Sequence, residues 1–127
     1  RQVLRTKIAE PEVNLMLELK RLSPATWEAF LEAPAALLVL GKKDCQPCKK
    51  WTETLTSQPN DVLDGRRVRV GTLLLDAPGF GQFKMTHPWV ALVDVLPFNA
   101  LYINGERVAE WAGASIERLL KELNGRA

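Results

Sequence analysis

One histidine, one tyrosine and two cysteines are all that this 127-residue chain holds of those residue types, and the scarcity excludes chemistry. Cys45, Cys48 and His87 fall short of the four ligands of a closed zinc site, so a metal would need carboxylates or another chain, and no metal or other cofactor is expected. No apolar stretch approaches the roughly 20 residues of a membrane-spanning helix. The formal net charge of +2 is too small, and the basic residues too evenly mixed with acids, to suggest a nucleic-acid partner. The densest basic group, Arg66, Arg67 and Arg69, alternates with or precedes Val68 and Val70 and reads as the solvated face of a strand. Internal repeats and low-complexity segments are also lacking. No charged segment leading into an apolar one opens the chain. That points to the cytoplasm, with an exported or periplasmic location left open because the first residue is not Met.

What is present is material for one domain, 46% hydrophobic and long enough for a single core. Its most informative feature is Cys45-Gln46-Pro47-Cys48. The run Ala35–Leu40 before it has the length and apolarity of a buried strand, and Cys48, Trp51 and Leu55 after it recur on one face of a helix. The dithiol therefore belongs at a helix N-terminus, where unpaired N–H groups and the macrodipole favour an anion. Only a thiolate attacks a disulfide, and a free cysteine with a pKa of about 8.5 is mostly protonated at neutral pH; in C-x-x-C motifs at such sites the value falls to roughly 3.5–7.5. Cys45, the outer residue, is the expected nucleophile, and Cys48, one turn in, the resolving thiol. Pro47 fits the first turn, where a missing N–H costs nothing. Asp44 opposes thiolate formation, whereas Lys49 and Lys50 bring positive charge near Cys45. A purely structural disulfide is the bland alternative, but so small a loop stabilises little.

Strand and helix signals alternate along the chain. Leu15, Leu17 and Leu19 mark a strand; Ser23-Pro24 is a candidate helix start, followed by the stripe Trp27, Phe30 and Leu31 and an end near Pro34. After the dithiol helix, Gln58-Pro59-Asn60 opens a loop, and Val68–Leu75 reads as a central strand ending at Asp76-Ala77-Pro78-Gly79. The stretch 80–96 is least legible, with a helix expected around Trp89–Val93. Ala100–Ile103 and Arg107–Trp111 flank Asn104-Gly105, a strong hairpin signal. Ile116, Leu119, Leu120 and Leu123 close the chain as a helix, with Ser115 before and Gly125 after it. The sum is an α/β domain whose last two strands are antiparallel.

From Leu15 to Leu123 the chain resembles the thioredoxin family in the order of its elements and in three local matches. Pro47 precedes the second cysteine; Leu96-Pro97 stands at the spacing of the family's cis-proline, before a strand and Asn104-Gly105; and Gly113 matches the glycine that ends the final strand. The resemblance implies a three-layer sandwich with a central mixed β-sheet flanked by helices over residues 15–127, preceded by an N-terminal extension, 1–14. It also implies a monomeric thiol–disulfide oxidoreductase that reduces protein disulfides and is served by a redox partner such as a thioredoxin reductase or a membrane thiol donor. Cys45 and Cys48 would be catalytic, Leu96 and Pro97 would bind substrate, and Asp44, Gln46 and Pro47 would neighbour the site. The alternative is a thioredoxin-like binding or adaptor domain with a slow or vestigial dithiol.

Departures from the family accompany the likeness. Asp44 stands where thioredoxins usually carry tryptophan. Val39, six residues before Cys45, replaces a buried aspartate that takes the proton of the second cysteine, and Thr72 replaces its lysine partner. Base assistance to Cys48 is therefore expected from water or from a distant group such as Asp94. The segment between Asp76 and Pro97 is longer than usual; Phe80, Phe83, Met85 and Trp89 are expected to pack it rather than form a lid, and His87 to be a loop residue rather than a catalyst.

Overall fold

The computed structural model describes residues 19–57 and 68–125. Its strands are β1 (Leu19–Arg21), β2 (Ala35–Gly41), β3 (Arg69–Leu74), β4 (Phe98–Ile103) and β5 (Glu106–Ala112), and its helices α1 (Trp27–Leu31), α2 (Gln46–Thr56), α3 (Gly81–Thr86) and α4 (Ile116–Asn124). The strands form one mixed sheet in the order β1-β3-β2-β4-β5. β3 runs parallel to β1 and β2, whereas β4 is antiparallel to β2 and β5. The expected α/β sandwich is thus present.

Alternation along β2 explains why helices cover both faces, since successive side chains of a strand point to opposite sides. Ala36, Leu38 and Leu40 pack with Trp27, Phe30 and Leu31 of α1 and Phe83 of α3. Leu37 and Val39 pack with Trp51 and Leu55 of α2 and Leu119 and Leu123 of α4. β2 consequently reads as an unbroken apolar run, as a strand buried on both faces must. Trp51 and Leu55 are fully buried, which pins α2 and the motif at its head to the sheet.

Most expected elements are found, with shifts that have local causes. Leu15, Leu17, residues 58–60 and Arg66 and Arg67 lie outside the described residues. α1 starts at Trp27 with Thr26 before it, not at Ser23-Pro24. Ser23 instead opens a separate turn, its carbonyl accepting from the N–H groups of Thr26 and Trp27 while its own N–H donates to the Thr26 hydroxyl. α3 was not foreseen: it is short, begins at a glycine and buries Phe83 alone. The helix expected at 89–93 is a 3₁₀ turn, Pro88–Leu92. The hairpin turns on Asn104 and Gly105 with φ of 53° and 84°, left-handed values that suit this residue pair. Ser115 caps α4 by accepting from Arg118 N–H at 3.1 Å.

Phe80 and Phe83 are buried, and the His87 ring stacks on Phe83 at 4.4 Å between centroids. His87 Nδ1 lies 2.9 Å from the Phe83 carbonyl and 2.8 Å from the Thr86 hydroxyl. Trp89 packs near Phe98 and under the Arg107 guanidinium, 4.2 Å from its ring centre. Phe80, Phe83 and Trp89 thus pack the long segment as expected, whereas Met85, expected to pack with them, is exposed, as are Leu92 and Val95. No helix among the described residues is long and apolar enough to cross a membrane.

Candidate active site

β2 delivers the chain to the site and α2 holds it there. From Gly41 a short loop, Lys42 to Asp44, leads to Cys45, and the Asp76 carboxylate ties that loop to the end of β3 by accepting from Lys43 N–H at 3.1 and 3.2 Å. Cys45 is the N-cap of α2, with extended backbone, and its Sγ accepts from Cys48 N–H at 3.2 Å. A sulfur thus occupies the capping position usually filled by an oxygen. Pro47 lies within the first turn, where its lack of an N–H leaves no helical bond unmade. The two cysteines are joined as a disulfide with Cα atoms 5.2 Å apart. Cys45 is half-buried and flanked by exposed Asp44, Gln46 and Pro47, whereas Cys48 is 6% exposed. An outer sulfur reachable by a partner and an inner one shielded from it is the asymmetry that the sequence led us to expect.

The Leu96–Pro97 peptide is cis. Pro97 is buried, Leu96 half-buried, and the Pro97 carbonyl accepts from Gly113 N–H at 2.8 Å. Phe98 directly follows and pairs with Leu40, so this turn sits at the same end of the sheet as the loop carrying Cys45.

Val39 and Thr72 are register partners on β2 and β3, and both are buried. With Gly41, Leu74 and Cys48 they line a cleft of about 280 Å³ on the α2 side of the sheet. No carboxylate is among the residues lining it. Asp94 is exposed in the segment before the cis bond and does not reach it.

Two residues escaped the sequence reading. A Cβ at Gly41 would stand 3.2 Å from both Cβ and Sγ of Cys48, so the absence of a side chain lets β2 pass against the inner cysteine. The only sequence hint was a glycine closing an otherwise apolar run. Asn99 is fully buried. It accepts from Trp51 Nε1 at 2.7 Å and donates to the carbonyls of Trp111 and Gly113 at 3.2 and 2.9 Å. One amide thereby joins the dithiol helix to β4 and the end of β5, and an asparagine inside an apolar strand was the available signal.

No family model and no curated protein matches the sequence. The structure does resemble solved thioredoxins. Thioredoxin f2 of Chlamydomonas reinhardtii matches with a TM-score of 0.65 at 21% identity, over 86% of this chain and 96% of that one. The oxidised thioredoxin of Plasmodium falciparum gives 0.64 at 14% identity, over 87% and 99%. Thioredoxin O2 of Arabidopsis thaliana in its oxidised state gives 0.63 at 16% identity, over 84% and 92%. With the sheet order, the C-x-P-C helix and the cis-proline in place, the chain has the thioredoxin fold.

Proposed function

We propose that the protein is a thiol–disulfide oxidoreductase that reduces protein disulfides through Cys45 and Cys48. The observation that carries this reading is the placement of the half-buried Cys45 sulfur at the head of α2, accepting from Cys48 N–H. A donor aimed at sulfur stabilises the thiolate, the form that attacks. The Cys45 thiolate would attack one sulfur of the substrate disulfide, forming a mixed disulfide and expelling the other sulfur as a thiolate. Cys48, having lost its proton, would then attack Cys45, releasing the second substrate thiolate and leaving the Cys45–Cys48 disulfide. Electrons pass from the dithiol to the substrate, and a thioredoxin reductase or a membrane thiol donor would return them. Leu96 would offer its backbone to an extended substrate segment, and Pro97, lacking an N–H, would keep that donor away from the sulfurs.

Reduction of insulin disulfides with dithiothreitol as electron source tests the reading. We expect turnover well above the rate with dithiothreitol alone, abolished by Cys45→Ser. A rate no higher than that background would refute it. Val39 and Thr72, which give Cys48 no internal base, favour a second reading, a thioredoxin-like adaptor with a slow dithiol; a redox-active couple without turnover would support it.

A further inference from the structure

We propose that the cleft beside Cys48 binds a small oxyanion of the phosphate class, which accepts the Cys48 proton when that thiol resolves the mixed disulfide. The inference rests on the dithiol exchange proposed above. Cys48 is buried, and as a thiol it must lose its proton before it can attack Cys45.

The charged groups that line the cleft are of one sign. β1 contributes Arg21, the loop before α2 contributes Lys42 and Lys43, and α2 contributes Lys49, while β2 and β3 present only Val39, Gly41, Thr72 and Leu74. All four cations are exposed, and none has an ion-pair partner among the described residues. Nearby Asp76 does not line the cleft, and its carboxylate is engaged with Lys43 N–H. A cleft with apolar walls and charge of one sign concentrates the counter-ion. A water claims about 30 Å³ of liquid volume, so the roughly 280 Å³ present holds an oxyanion with part of its hydration shell.

Basicity selects among anions. A general base works best with a pKa near the operating pH; phosphate monoesters, with a second pKa near 6, satisfy this better than carboxylates at about 4. In the step itself the Cys48 S–H proton passes to the oxyanion and the thiolate attacks Cys45 Sγ. The Cys45–substrate S–S bond breaks, the Cys45–Cys48 bond forms, and the departing substrate thiolate is reprotonated from the protonated anion or solvent. In this step the Cys48 sulfur is oxidised to the disulfide level, the substrate sulfur is reduced, the Cys45 sulfur stays at the disulfide level, and the oxyanion is regenerated.

Reaction of the reduced protein with dithiodipyridine, a neutral disulfide that does not compete for the cleft, separates the steps. The first thiopyridone release reports attack by Cys45 and depends on probe concentration; the second reports resolution by Cys48 and does not. At fixed pH and ionic strength, inorganic phosphate should accelerate the second phase with saturation and leave the first unchanged. Sulfate, similar in shape but not basic, should suppress that gain. The double variant Lys43→Gln/Lys49→Gln should raise the half-saturating phosphate concentration about two- to fivefold, the size of effect expected from removing exposed charge contacts. A second phase indifferent to phosphate, or one rising linearly and equally with imidazole, would overturn the inference while leaving the dithiol reading intact. Loss of the first phase would overturn the dithiol reading and this inference with it.

Discussion

The two faces of the sheet are built differently. The face covered by α1 and α3 is an apolar and aromatic pack, in which Trp27 meets Phe83 edge-on at 5.2 Å between ring centres and the Tyr102 hydroxyl is buried with no partner. The face covered by α2 and α4 carries the dithiol, the fully buried Asn99 with its three hydrogen bonds, and a cleft that the strands leave unfilled. The first face therefore contributes stability chiefly by excluding water from apolar and aromatic surface. The other combines packing with polar groups whose positions matter to the sulfurs.

The sharpest test of that division compares substitutions on either side. Cys48→Ser should eliminate turnover and leave a mixed disulfide between Cys45 and substrate, visible as a covalent adduct by mass spectrometry; loss of activity without an adduct would contradict the assignment of Cys48 as the resolving thiol. Phe83→Ala on the opposite face should destabilise by about 3–5 kcal/mol, as large-to-small changes at buried aromatic residues do, yet leave the dithiol reduction potential unchanged in the protein that remains folded. Asn99→Ala should cost on the order of 3 kcal/mol by leaving buried polar groups unpartnered. Unlike Phe83→Ala, it should also shift that potential, because Trp51 on the dithiol helix loses its anchor. Chemical denaturation and a glutathione redox titration read the two quantities separately.

With no carboxylate lining the cleft, resolution in buffers without phosphate should be slow near neutral pH and accelerate as pH rises, measured by stopped flow. Val39→Asp combined with Thr72→Lys should speed it and flatten the pH profile, whereas Val39→Asp alone buries an unpaired carboxylate and should lower stability. A fast, pH-insensitive step in the unaltered protein would show that another group already supplies the base.

The smallest effect belongs to Tyr102. Burial raises its pKa above the ordinary value near 10, with Glu110 reinforcing and Arg107 opposing that shift. The folded form then binds the phenolic proton more tightly than the unfolded form does. The stability from this source is complete below the unfolded value and is lost as pH rises through the folded one. Tyr102 is the chain's one tyrosine, so ultraviolet absorbance follows its ionisation directly. Tyr102→Phe should weaken the alkaline loss of stability and, by deleting an unpartnered hydroxyl, change stability little at neutral pH; a marked loss there would reveal a partner for the hydroxyl.

Local chemistry made much of this molecule legible from sequence. β2 was readable because a strand covered on both sides must be apolar throughout, and α2 because Cys48, Trp51 and Leu55 recur at helical spacing. Asn104-Gly105 announced the hairpin through the backbone angles that this pair tolerates, and Ser115 announced α4 through its hydroxyl. α3 was missed because six residues with one buried side chain carry too little periodicity to register. The start of α1 was misplaced because Ser23 serves a turn before the helix rather than the helix itself.

By itself, then, the sequence determined most of the elements, the dithiol at a helix head and the two-sided burial of the central strand, since each follows from spacing and side-chain chemistry within a few residues. Tertiary structure alone decided that Val39 and Thr72 face each other, that Gly41 presses against Cys48, that Asn99 ties Trp51 to the end of β5, and that four cations ring a cleft free of acidic groups. Those relations join residues far apart in the chain, and strand pairing and packing, rather than local preference, bring them together.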